Sequence, residues 1–452
     1  MLAESSGALD ALALVGPDRS WTYGELSAAV DARVSAIRER RVTADGSRAS
    51  VVDEPRVAVA VVVTPGADAV VELLAMWRAG VVPAPLNDRL TPAEREAAVD
   101  ALSDAELPEG AQVVLWTSGT SGRPRGVALS FGNLRAITDA SADRLELGPD
   151  DVWLASLSPA HVGGLVLIVR SILLGGVLVA PGSVDAEALV TMLADGASAT
   201  VPTHISLVPT QLQRLLDSWG DRPAPARLAC ALIGGAHTPA SLVARATSAG
   251  WPVALTYGAT EMSSQIATAP PARIRAGPAT VGRPMPGVEV RVDDSGELLV
   301  RGPTRALAYV GADASRLGDE DGWYATGDLG RIETDGSLAI TGRRIDRIVS
   351  GGVTIDAVEV EEAVRVDPTV ADVCVAGVPD AEWGERVGAL IVPVEGEFDL
   401  DRMDEHLRGR LMSAKVPRLW RLAADLPRNP NGKVDRAAVR ALLSEGRSTH
   451  PS

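Results

Sequence analysis

Short runs of Val, Ile and Leu alternate with amphipathic segments along much of this chain. RVAVAVVVTPG (56–66) reads as a strand, ADAVVELLAMWRAG (67–80) as a helix closed by Gly80, and VVPAPLN (81–87) as a second strand. Parallel neighbours need a crossover of this kind, so the rhythm predicts a parallel sheet covered by helices. Comparable patterns recur at LVLIVR (165–170), at 196–219 and at 226–258. From about 288 the pattern changes to polar/apolar alternation. Hairpins are predicted around Asp293-Asp294-Ser295-Gly296 and around Asp335-Gly336. A helix over 358–368, a strand over 370–379, and two helices flanking a strand and a loop over 399–446 complete the chain. The expected fold class is α/β: a large N-terminal domain of sheets with packed helices, then a small α+β C-terminal domain. The boundary falls near 342–347, giving domains of 1–342 and 348–452 and a hinge at 343–347.

With 452 residues there is ample material for a large core. The 43 Lys+Arg against 59 Asp+Glu give a net charge of −16, which argues against nucleic acid as a partner. A local basic site for an anionic cofactor remains compatible with it. Cys230 and Cys374 lie far apart, which excludes a disulfide scaffold and a Cys-rich zinc site. The most apolar stretches are too short to span a bilayer (57–66) or broken by Arg170 and two glycines (165–182). The N-terminus has no basic n-region and no apolar run of signal-peptide length. No membrane insertion and a cytoplasmic location are therefore expected.

WTSGTSGRPRGVALS (116–130) carries the most chemistry. A strand-like run enters a loop of Thr117, Ser118, Gly119, Thr120, Ser121 and Gly122, followed by Arg125. Small hydroxyl residues and glycines let backbone N–H groups and hydroxyls close around a polyphosphate. Neither GxxxxGK[ST] nor GxGxxG is present. Read alone, the loop fits a phosphate cradle and a Ser/Gly-rich surface loop about equally.

The loop is accompanied, in order, by YGATE (257–261), GWYATGDLG (322–330), GRRIDRIVSGG (342–352) and PRNPNGKVDR (427–436). Together the five segments resemble the motifs of the acyl-adenylate-forming superfamily, over about residues 20 to 440. The resemblance implies an acid–thiol ligase that uses ATP, Mg²⁺ and coenzyme A, with a mobile C-terminal domain. It implies that Glu261 holds Mg²⁺ and Thr260 contacts phosphate, that Tyr257 stacks by the adenine, and that Gly235, Ala236 and Gly258 join it in the nucleotide site. Asp328 would reach the ribose, Arg343 the ribose or phosphate, Lys433 would be the catalytic lysine of adenylation, and His161 would gate the acyl pocket. Gly351 and Gly352 would line the path of the thiol. Each of these has a plainer alternative, such as a turn aspartate at 328, a solvated glutamate at 261 or a solvated lysine at 433. Three positions depart from the family pattern: Ser121 stands where Thr is common, Arg125 where Lys is common, and Ile345 where the hinge often has Asp or Lys. Asp346 follows as a possible substitute.

THISLVPTQLQRLL (203–216), LIGGAHTPASL (232–242) and YGATEMSSQIAT (257–268) look most like the o-succinylbenzoate–CoA ligases of menaquinone biosynthesis. The pocket expected from them contains His161, Gly163, Thr203, His204, Ser206, Gly234, Gly235, Ser263, Ser264 and Gln265. Other readings are a different carboxylic acid, an acyl carrier protein as acceptor, or a silent nucleotide-binding module. Arg386, Lys415, Arg418 and Arg421 are candidates for a basic patch toward the 3′-phosphate of CoA.

Overall fold

The computed structural model describes residues 8–40, 58–103, 105–118, 124–194, 200–277, 280–311, 314–394, 398–429 and 433–445. The chain forms two compact units. The first is Met1–Val290 with Leu299–Tyr324 and Glu333–Leu338; the second is Arg291–Leu298, Ala325–Ile332 and Ala339–Ser452.

In the first unit, Ala58–Val63 and Val82–Asn87 pair in parallel from Ala58↔Val82 to Val63↔Asn87, with the helix Ala67–Arg78 between them. Val70, Leu73 and Leu74 form its buried stripe. A nine-stranded sheet carries most of the site. Its parallel part runs, in spatial order, through Val253–Ala259, Cys230–Ile233, His204–Leu207, Val152–Leu154, Val177–Val179 and Leu12–Val15. Antiparallel strands flank it, Ser264–Ala269 beside Val253–Ala259 and Ser20–Thr22 beside Leu12–Val15. Successive residues enter different cores. Trp153 and Leu232 pack in one cluster, Leu154 and Ile233 in another, so both faces of the sheet are buried. The apolar run 165–170 lies inside the helix Val162–Leu174, which is buried over most of its length and ends at Gly175 in the left-handed conformation, φ 77°.

A second, antiparallel sheet holds Ala111–Ser118, Pro124–Ser130, Ala308–Val310 and Ser315–Arg316. From it the chain enters the helix Phe131–Leu145, started by reciprocal bonds between Ser130 and Asn133.

In the second unit, Arg347–Ser350, Val353–Asp356, Val370–Asp380 and Gly384–Pro393 share a sheet with Leu419–Leu422. Val373 and Val375 face one cluster, Cys374 and Ala376 the other. The helices Ala357–Arg365 and Arg436–Glu445 supply the partners, through Val360 and Val364 in one cluster and Val439 and Leu443 in the other. The predicted hairpins are present as neighbours in a four-stranded sheet, Glu289–Val292 with Glu297–Arg301 and Tyr324–Ile332 with Leu338–Arg343.

Candidate active site

Three adjacent parallel strands end together. Past the last parallel-paired residues, Leu207, Ile233 and Leu255, lie Val208, the Gly234–Gly235 turn and the segment from Tyr257 to Glu261. Ligands of open α/β sheets bind at such carboxyl ends. The turn after Val253–Ala259 is sterically extreme. The ladder with Ser264–Ala269 shifts register between Tyr257 and Gly258, and Thr260–Met262 makes a single 3₁₀ turn. Ser263 and Ser264 follow at φ 55° and 117°, conformations that cost a side-chain-bearing residue energy. A Cβ at Gly258 would lie 1.8 Å from the Ser264 carbonyl oxygen, so only glycine fits there. Gly234 is similarly confined, with a Cβ 2.5 Å from Thr256 Cγ2, and Gly235 sits at φ 80°.

Glu261 projects from this turn. Tyr309 Oη donates to its Oε1 at 3.0 Å and lies 3.3 Å from Tyr324 Oη. Burial first, then the nearby Glu261 charge, push the Tyr309 phenol up to about 12, so it stays a donor at neutral pH. The Arg125 guanidinium lies over the Tyr309 ring, 3.7 Å from its centroid. Thr117 Oγ1 donates to the Arg125 carbonyl at 3.3 Å. Gly119, Thr120, Ser121 and Gly122 lie outside the described residues, as does the Ser118 side chain. No group of three or more acidic, His or Cys side chains suited to a metal occurs among the described residues. A carboxylate such as that of Glu261 fits Mg²⁺, which binds one or two carboxylates and takes its other ligands from water and phosphates.

The pocket residues divide. Asn87 Nδ2 meets His161 Nε2 at 3.1 Å, an approach in which the amide donates and the ring nitrogen accepts; Asn87 was not foreseen. Gly163 lies in the first turn of the helix that His161 caps. Ser206 is buried, with its carbonyl bonded by the Ser156 hydroxyl. Thr203 Oγ1 accepts from Val152 N at 2.9 Å and sits 2.9 Å from His204 Nδ1. The His204 ring stacks on Trp153 at 4.8 Å and lies 3.5 Å from Asp151. Burial holds its pKa below the usual histidine range, against the opposing pull of Asp151. Two expectations need correction. Ser263 is fully buried and donates to Thr304 O at 2.7 Å, so it fastens the turn instead of facing a ligand. Gln265 is also buried, with Oε1 receiving Ser141 Oγ and Arg170 Nη2, each at 2.7 Å, and Nε2 donating to Thr268 Oγ1. Its amide therefore anchors Arg170.

Arg170 is the residue that sequence reasoning passed over. It is 2% exposed, lies over the Trp153 ring at 5.0 Å and donates Nη2 also to Ser141 Oγ at 2.9 Å. Its Nε and Nη1 are buried without a hydrogen-bond partner among the described residues. Burial lowers its pKa to about 10, which leaves it charged at pH 7. A buried, half-satisfied cation is costly and calls for an anion. The signal was present: an arginine inside LVLIVRSILL must find a partner when that helix is buried.

In the second unit, Asp328 is buried and pairs with Arg343 Nε at 2.8 Å. Gly327 N donates to Glu297 Oε1 at 2.8 Å, and Arg344 pairs with Glu297 Oε2 at 2.8 Å. Ile345 is exposed, whereas Asp346 pairs with Arg436 at 3.1 Å. Arg436 also meets the buried Glu361 at 2.8 Å. Lys433 is exposed, and its carbonyl accepts from Asn429 N at 2.8 Å. Gly351 and Gly352 sit at φ 56° and 79°, and a Cβ at Gly351 would press on the Trp383 ring at 2.6 Å. Of the four basic candidates, Arg386 pairs with Asp380, Lys415 with Glu359, and Arg421 bonds the Leu442 carbonyl. Arg418 stacks on the exposed Trp383 at 5.7 Å.

Comparison with known proteins bears on both units. Residues 103–310 match the family described as AMP-binding enzyme, and 359–433 match its C-terminal domain. The 2-succinylbenzoate–CoA ligase of Bacillus cereus (strain Q1) is 34% identical over 347 residues, covering 75% of this chain and 71% of that protein. The o-succinylbenzoate CoA synthetase of Bacillus subtilis, solved with its acyl-adenylate intermediate, superposes with a TM-score of 0.82 at 26% identity, over 98% of this chain and 97% of that one. The same Bacillus subtilis enzyme with ATP and magnesium gives a TM-score of 0.81 at 26% identity, over 96% of each chain. Among the described residues no helix is long and apolar enough to cross a membrane. The five ordered motifs, the glycine-confined turn that presents Glu261 and these likenesses converge, and the chain belongs to the AMP-binding, acyl-adenylate-forming enzyme family.

Proposed function

We propose that this chain is an ATP-dependent acid–CoA ligase that converts o-succinylbenzoate to o-succinylbenzoyl-CoA through an acyl-adenylate, as a step of menaquinone biosynthesis. The relatives named above carry the acid and the acyl-adenylate in their own names. The single observation that carries the reading here is Arg170. An acid with two carboxylates can place one against a buried guanidinium while the other reacts, and the unpartnered Nε and Nη1 hydrogens are donors for it.

In the first half-reaction a carboxylate oxygen of the acid attacks the α-phosphorus of ATP, and the bond to pyrophosphate breaks. Two anions must be held in line, so charge compensation and positioning do most of the catalysis. The loop at 117–122 and Arg125 would cradle phosphates, and Asp328 with Arg343 would hold the ribose hydroxyls. Mg²⁺, held by Glu261, would supply charge neutralisation between the phosphate groups. Lys433 supplies a cation toward the reacting oxygens; an ammonium on a flexible stem suits a transient contact. In the second half-reaction the CoA thiolate attacks the acyl carbon and AMP leaves with its bonding electron pair. Gly351 and Gly352 line the thiol path in this reading. In this reading residues 343–347 act as the hinge between working domains of 1–342 and 348–452, although the compact second unit also takes in 291–298, 325–332 and 339–347. The acceptor is CoA rather than an acyl carrier protein, and the enzyme works in the cytoplasm, where both ATP and CoA are available.

A panel of carboxylic acids with CoA, scored for AMP release, tests this. Turnover of o-succinylbenzoate well above that of benzoate and 4-phenylbutyrate is expected. Equal turnover of the monoacids, or none of o-succinylbenzoate, would overturn the substrate assignment.

A further inference from the structure

We propose that Tyr309 is a positioning residue that couples the phosphate-loop cation Arg125 to the carboxylate Glu261, so that nucleotide and metal are bound as one preset arrangement. The inference rests on the reading of Glu261 as the Mg²⁺ carboxylate.

The placement follows from register. Ala308–Val310 runs antiparallel to Pro124–Ser130 with Tyr309 opposite Val127. Residues two apart on a strand share a face, so Arg125 is the diagonal neighbour of Tyr309, within reach of a long side chain. Gly126 lies between them on the other face, where a Cβ would meet Val310 Cγ2 at 2.7 Å. The Glu261 turn is fastened to the same segment from the other end. Ala306 N donates to Glu261 O at 2.8 Å, and Ser263 Oγ donates to Thr304 O at 2.7 Å. Tyr309 thus stands three residues beyond an anchor of the glutamate and two residues, diagonally, from the loop cation. Its ring faces Arg125 at 3.7 Å and its hydroxyl reaches Glu261 at 3.0 Å.

This geometry explains why arginine suits position 125 although lysine is common there in the family. A planar guanidinium lies flat on a phenol ring, whereas an ammonium is a strongly hydrated point charge. It also separates two functions of one side chain: the hydroxyl orients the carboxylate, and the ring seats the cation.

The two are separable by Tyr309→Phe and Tyr309→Leu. ATP binding to the full chain is measured by calorimetry without acid substrate, once with saturating Mg²⁺ and once in EDTA. Tyr309→Phe keeps the ring and loses the hydroxyl. Removal of a group that orients a metal ligand commonly costs about 10–100-fold in metal affinity, so Mg²⁺-dependent binding falls by that order while binding in EDTA stays at the wild-type value. Tyr309→Leu loses both and weakens ATP in EDTA as well. Arg125→Lys reproduces the EDTA loss by removing the stack, and serves if the leucine variant does not fold. A Tyr309→Phe protein with wild-type melting temperature and wild-type Mg²⁺ enhancement overturns the coupling. A wild-type protein whose ATP affinity ignores Mg²⁺ overturns the assignment of Glu261 itself, and the coupling with it.

Discussion

Arg170 Nη2 donates to Gln265 Oε1 at 2.7 Å, joining the middle of a buried helix to the strand that follows the Glu261 turn. The bond holds the guanidinium through Nη2, while Nε and Nη1 have no hydrogen-bond partner among the described residues. Arg170→Met is therefore expected to raise KM for o-succinylbenzoate by at least about tenfold, in line with loss of a charge-assisted hydrogen bond of about 2 kcal/mol. The melting temperature of the ligand-free protein should stay level or rise, because an apolar side chain of similar length removes a buried, half-paired cation. Steady-state kinetics and a thermal melt on one preparation decide it. A large drop in stability with unchanged KM would make Arg170 purely structural.

Gly258→Ala tests the turn. With a Cβ placed 1.8 Å from the Ser264 oxygen, backbone must move. A loss of more than about 3 kcal/mol of stability, or insolubility, is expected, on the scale of severe overpacking plus backbone strain. Denaturant unfolding against Gly296→Ala, where a Cβ meets nothing within 4 Å and only the positive φ is penalised, gives the comparison.

Lys433→Ala should remove most acid-dependent pyrophosphate exchange while thioester formation from supplied acyl-adenylate continues. Gly352→Leu should do the reverse, since φ there is 79° and the added side chain occupies the proposed thiol path. Equal loss of both half-reactions in both variants would contradict the division of labour between the lysine loop and the glycine pair.

His204 predicts a pH effect on stability. Burial depresses its folded pKa below the usual 6.5. The unfolded chain then binds a proton more readily than the folded one, so this contribution is complete above about pH 6.5 and is lost as pH falls through the folded value. Melting temperature should decline from pH 7 to pH 5 in the wild type and decline less in His204→Phe, which keeps a ring against Trp153. Parallel slopes would exclude His204 as the source.

What the sequence made legible was local. YGATE, the Gly-Asp turn at 328 and the lysine loop stood out by their resemblance to the family's motifs, and the strand–helix–strand rhythm foretold the parallel sheet. What it hid was direction and distance. Ser263, Ser264 and Gln265 are neighbours in the chain, yet a register shift and two residues of positive φ decide where each side chain goes. Tyr309 lies 48 residues from Glu261, and the pairing with Val127 together with the bond from Ala306 N to Glu261 O brings it there. Arg170 was visible as an interruption of an apolar run, but its meaning depended on Ser141 and Gln265, which the fold delivers from other elements.

The pairing of Asp346 with Arg436 has a bearing on protein engineering. Anyone recombining this enzyme with a homologue would naturally cut after the proposed hinge at 343–347 and import everything downstream. That splice leaves Asp346 with the recipient and Arg436 with the donor, and Arg436 also needs its carboxylate partner Glu361. A crossover placed upstream of Asp346 transfers the three residues as a set, and should yield working hybrids where the later cut does not.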